Sequence, residues 1–208
     1  MVATAGVSFA FFEYSRTGGT QQIKTGHIEF NSTNTLINLT GAFPTDATTA
    51  AAATSSTANV GVATVTITGK TNYSGGVDFT VTAVDVSSNI GTAAGKLPVK
   101  VIVTGSSLPT GTTLLGSGSA TAITNNAVIA SGTIPDTNTA VNGTITIKAY
   151  IDDTNLLVTD TATGTTTSGY TNNTVTTGKT VLTTSQWNAL NSTAASFKIL
   201  VEAHEHTA

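Results

Sequence analysis

The sequence predicts an all-β protein: an antiparallel, jelly-roll-like β-sandwich with an extended N-terminal strand and one short helical turn near the C-terminus. Three observations point there. Apolar and polar residues alternate with a period of two in segment after segment. Threonine is the commonest residue, and Thr and Val are stiff at χ1 and suit a pleated surface. Only 9% of the 208 residues are charged, against about 25% in an ordinary soluble domain. A disordered chain combines low hydrophobicity with high charge, whereas 39% of this one is hydrophobic and periodic.

Taken in order, residues 1–12 (MVATAGVSFAFF) form an apolar, uncharged run. The run is too short to span a bilayer and lacks the basic start of a full signal peptide. Ser8-Phe9-Ala10 has the small-x-small form of a cleavage site. The run is therefore either the end of an export signal or an arm of the mature protein, and both readings place the chain outside the cytoplasm. As an extended arm, it sets Ala3, Ala5, Val7, Phe9 and Phe11 on one face.

Residues 13–208 read as a single sandwich domain. Residues 21–31 alternate as one strand, and residues 35–43 carry Leu36, Ile37, Leu39 and Phe43 before Pro44. Residues 45–59 are low in complexity and read as a loop, since their alanines have no apolar stripe to hold a helix. The clearest strands follow. Residues 61–69 put Ala63, Val65 and Ile67 opposite Thr64, Thr66 and Thr68, and residues 77–86 align Val77, Phe79, Val81 and Ala83. The polar turn between them predicts a hairpin or meander. Residues 97–103 align Leu97, Val99, Val101 and Val103; residues 144–151 align Ile145, Ile147, Ala149 and Ile151. Residues 127–134, 156–159 and 196–204 complete the set, the last with Phe197, Ile199, Val201 and Ala203 inward. Ahead of it, Thr183-Thr184-Ser185-Gln186 fits a capping box, which predicts a helical turn carrying Trp187 and Leu190.

Several function classes lose their footing. The net charge of −3 comes with no basic stripe to neutralise phosphates, so no nucleic-acid partner is expected. The absence of cysteine removes disulfides and thiolate chemistry. No zinc-protease, nucleophile-elbow, phosphate-loop or dinucleotide motif occurs. His204 and His206 could share a metal on one strand face, but a solvated tail is the plainer meaning, and His27 stands alone. Asp152, Asp153 and Asp160 lack the spacing of a calcium loop and read as a polar turn. We therefore expect no catalytic residue, metal or cofactor, and no stable membrane insertion of the mature protein. Asn-x-Ser/Thr sequons at Asn31, Asn38, Asn72, Asn142, Asn172 and Asn191 would take N-linked sugar if the host supplies it.

Residues 8–18 (SFAFFEYSRTG), followed by Ile23-Lys24-Thr25-Gly26-His27-Ile28-Glu29-Phe30, resemble the mature start of TasA and camelysin-like secreted surface proteins. Residues 146–152, 183–190 and 196–203 resemble the closing segments of related surface proteins. The likeness covers both ends and is looser in the middle. It implies a jelly-roll-like sandwich and, for several members, extracellular fibres or pili in which the N-terminal strand of one subunit completes the next subunit's sheet. Camelysin's metalloprotease activity does not carry over, because the zinc motif is absent here. The resemblance and the arm together predict a structural subunit at the cell surface, polymerised head to tail with identical subunits, and able to contact neighbouring filaments. Internal pairing of the arm is the other arrangement that would cover it. A monomeric adhesin or carbohydrate-binding module is the alternative function.

Overall fold

A computed structural model describes residues 14–17, 21–25, 27–33, 35–71, 75–93, 96–137, 139–154, 156–159, 180–183, 187 and 195–206. In chain order the elements are β1 (Tyr14–Thr17), β2 (Gln21–Thr25), β3 (His27–Thr33), β4 (Leu36–Asn38), α1 (Ala47–Ala52), β5 (Val60–Lys70), β6 (Val77–Val84), β7 (Val99–Ser106), β8 (Thr113–Leu114), a 3₁₀ turn (Leu115–Gly118), β9 (Thr121–Ala122), β10 (Val128–Ile134), β11 (Val141–Ile151), β12 (Leu156–Thr159), β13 (Thr180–Thr183) and β14 (Ser196–Glu205).

Two antiparallel sheets pack as a sandwich. The first runs β1-β14-β6-β10-β8, with β4 also paired to β14; the second runs β2-β3-β5-β11-β7-β9. β12 and β13 form a separate parallel pair. Alternation explains why the layers close. β6 buries Val77, Phe79, Val81 and Ala83 while the residues between them stay half-buried, and β14 does the same with Phe197, Ile199, Val201 and Ala203. Ala63, Val65 and Ile67 of β5 and Ile145, Ile147 and Ala149 of β11 face them from the second sheet, all in one continuous core. Phe30 and Phe79 meet within that core, ring centroids 5.9 Å apart.

Three expectations are corrected. Residues 21–31 are not one strand: the chain reverses between Thr25 and His27, and Ile23 stands opposite Phe30. Alternation persists on both sides of so tight a turn and hides it. Residues 45–59 are not all loop. Asp46 caps α1, its carboxylate accepting hydrogen bonds from the Thr49 amide at 2.8 Å and the Thr49 hydroxyl at 2.7 Å. Only Ala50 of α1 is buried, in a small cluster with Val60, Val62, Ile102 and Tyr150 on the outer side of the second sheet. Finally, β5 and β6 do not form a hairpin. β5 pairs with β3 and β11, β6 with β10 and β14, so the turn between them carries the chain across the sandwich.

That crossing is the rule. Along β1 to β11, every connection except β2–β3 switches sheets. A bulge in β10 falls between Val128 and Ala130; it exposes Val128 while Ile129 and Ala130 are both buried. Trp187 is helical and buried, stacked on Phe43 at 6.4 Å. Thr183, the first residue of the expected capping box, ends β13, and Thr184, Ser185, Gln186 and Leu190 lie outside the described residues.

Candidate functional site

Four places gather what this chain has to work with: the two sides of the first sheet, the polar cluster at one end of that sheet, and an acidic corner of the second sheet.

The β14 edge is covered from within the chain. β4 pairs with Ser196, Phe197 and Lys198, the Ile199 amide donates to the Thr35 carbonyl at 2.7 Å, and β1 pairs with Leu200 to Ala203. Tyr14, the first described residue, lies opposite Ala203. The far edge is covered much less. β8 pairs with β10 only at Ala130 and Ser131, so among the described residues Gly132, Thr133 and Ile134 have no strand partner on that side. Beyond the ends of β7 and β10 lies an open hollow of about 410 Å³, walled by Ser107, Leu108 and Pro109 on one side and Pro135, Val141 and Asn142 on the other.

The polar cluster is built across three strands. Register sets Asp78 of β6 opposite Thr133 of β10 and His204 of β14. The Thr133 hydroxyl donates to Asp78 Oδ1 at 2.6 Å, His206 Nδ1 lies 2.9 Å from both carboxylate oxygens, and His204 Nε2 lies 3.8 Å from Oδ2. Burial opposes ionisation of Asp78, but the Thr133 hydroxyl and the two imidazoles outweigh it and hold the carboxyl below its ordinary range. The His206 amide also donates to the Gly76 carbonyl at 3.1 Å. The two histidines thus fasten the end of β14 to β6. Among the described residues, no three His, Asp or Glu side chains are grouped to hold a metal ion.

In the acidic corner, Lys100 of β7 pairs with Asp152 just past β11, Nζ to Oδ2 2.9 Å. Asp153 is buried beside it, and Asp160 lies outside the described residues. Tyr150 is fully buried; burial pushes its hydroxyl up to about 12, helped by the charges of Asp152, Asp153 and Asp46.

Ala3, Ala5, Val7, Phe9 and Phe11 lie outside the described residues, as do Asn72, Asn172 and Asn191. Asn38 and Asn142 are exposed. Asn31 is half-buried and its amide donates to Glu29 at 3.0 Å, which makes it the least accessible of the three described sequons. The Asp78 cluster was not visible in the sequence, because its partners are 128 residues apart. The one available signal was a carboxylate at a polar position of an otherwise uncharged strand.

Comparison with known proteins gives no match to any family model, any curated protein or any solved structure.

Proposed function

We propose that this chain is a structural subunit of an extracellular filament, a pilus or biofilm-matrix fibre, and not an enzyme. In this reading it is related to the TasA and camelysin-like surface proteins and follows their jelly-roll-like path, which the repeated crossing between sheets supports. Its N-terminal arm is donated to the sheet of the next subunit.

The observation that carries the reading is the β10 edge. A two-residue β8 leaves Gly132, Thr133 and Ile134 without a strand partner among the described residues, next to an open hollow. An unpaired edge accepts an incoming strand by β-augmentation, where backbone hydrogen bonds supply affinity and alternate side chains fill pockets. The arm offers such a strand: burying Val7, Phe9 and Phe11 contributes roughly 5–9 kcal/mol gross, at about 1.5–3 each, offset in part by ordering the arm. A contact of this kind joins unlike surfaces and does not close, so it propagates as a fibre.

Electron microscopy of the purified chain with and without residues 1–12 tests this. Filaments are expected only with the arm; an intact protein that remains monomeric at high concentration would sink the reading.

One observation favours the adhesin alternative. On the outer face of the second sheet, Thr33, Thr64, Thr146 and Thr104 stand in one rank across four strands, beside a second rank of Asn31, Thr66, Thr144 and Ser106. Such a surface of hydroxyl and amide groups suits a neutral polysaccharide. Retention of monomeric protein on a polysaccharide matrix, lost on replacing Thr66 and Thr144, would favour it.

A further inference from the structure

Lys100 and Asp152 are held face to face by the backbone. Lys100 lies directly opposite Tyr150 in the β7–β11 ladder, and Asp152 is two residues further along the same side. That diagonal brings Nζ to 2.9 Å from Oδ2. Asp152 cannot easily turn away. Its amide donates to the Pro98 carbonyl at 2.9 Å, it is bridged to Thr45, and the next amide, of Asp153, donates to the Thr45 carbonyl at 3.2 Å. The other carboxylate oxygen is held by the Thr154 hydroxyl at 3.0 Å.

The surroundings are dry on the acid side. The Asp152 side chain is 9% exposed and that of Lys100 32%. The Tyr150 hydroxyl is buried with no hydrogen-bond partner among the described residues. Withdrawing an ion pair from water is costly, and condensation to a neutral amide removes both charges. Fixed proximity supplies the rest: well-oriented intramolecular groups reach effective concentrations of about 10⁵–10⁸ M when the reacting atoms are roughly 3–3.5 Å apart. The carboxyl carbon lies one bond beyond the oxygen that Nζ already touches.

We propose that Lys100 and Asp152 condense into an intramolecular amide that staples β7 to the end of β11. The ammonium first passes a proton to the carboxylate, giving an amine and a carboxylic acid. Nζ then attacks Cγ, and the Thr154 hydroxyl steadies the oxygen that remains. The hydroxyl of the acid departs as water, taking a second proton from nitrogen. One C–N bond forms, one C–O bond breaks, one water is released, and no oxidant or other reagent is consumed. A chain without cysteine gains by this route the covalent cross-link it cannot obtain from a disulfide. The inference is independent of the filament reading.

Peptide mapping of the full-length protein by tandem mass spectrometry tests it. The expected product is a single branched species containing Lys100 and Asp152, lighter by one water than its two peptides together, with Lys100 refractory to acetylation after denaturation. Lys100→Arg keeps the positive charge but should yield two separate peptides and a lower melting temperature. Two outcomes overturn the proposal: separate full-mass peptides with acetylated Lys100, or a water loss confined to the Asp152 peptide, as an internal succinimide would give. Should Lys100→Arg fail to fold, the wild-type map still decides.

Discussion

At Gly76 the backbone takes a φ of +100°, and an added Cβ would collide with the Ile134 carbonyl oxygen. The same residue accepts the His206 amide, so one glycine lets β6, the end of β10 and the end of β14 approach together. Gly76→Ala should cost about 1–3 kcal/mol from the strained conformation alone, before any displacement of Ile134, read by denaturant unfolding. Asp78 contributes in a pH-dependent way. Its carboxyl titrates below the ordinary 3.8 in the folded state, so the stabilisation is fully present above that pH and fades as the pH falls through the lower folded-state value. Thermal melts of Asp78→Asn against the parent should show a gap at neutral pH that narrows only under strongly acidic conditions. A gap unchanged across that range would mean that the Thr133 and imidazole contacts do not favour the ionised form.

Among the elements, α1 shows what alternation cannot reveal. It has six residues and one buried side chain, so it carried no apolar stripe, and its signal was the cap formed by Asp46 with Thr49. Asp46→Ala should lower stability by about 1 kcal/mol, within a range of roughly 0.5–2. Faster amide exchange at Thr49 and Ala50, with the core strands unaffected, would place that loss in the helix. The strands were legible where one face is buried and the other wet: Val77, Phe79, Val81 and Ala83 read correctly because a period of two assigns each residue a side. The same pattern says nothing about a strand's neighbour. The pattern therefore suggests a hairpin or meander of β5 and β6 although they lie in opposite sheets, and it passes over the turn after Thr25 because both of its arms alternate. The Asp78–His206 and Lys100–Asp152 pairs escaped for a related reason, since each depends on inter-strand register, which a single sequence does not encode locally.

For the whole molecule, fold class followed from composition and period because both act on every strand at once. The two sheets enclose one continuous core, and the ion pairs among the described residues include Lys100–Asp152, Lys198–Asp85 and His206–Asp78, none of them within that core. What the layout does offer is asymmetry: among the described residues, β14 is covered from Ser196 to Ala203 by β4, Thr35 and β1, whereas β10 is covered on its β8 side only at Ala130 and Ser131. We propose that residues 1–12 of one subunit occupy such an edge in the next. Negative-stain electron microscopy of intact protein beside protein lacking residues 1–12, at equal concentration, tests it most directly. Long filaments are expected from the intact chain and dispersed particles from the shortened one. Intact protein that stays dispersed, or a shortened chain that builds the same filaments, would contradict it.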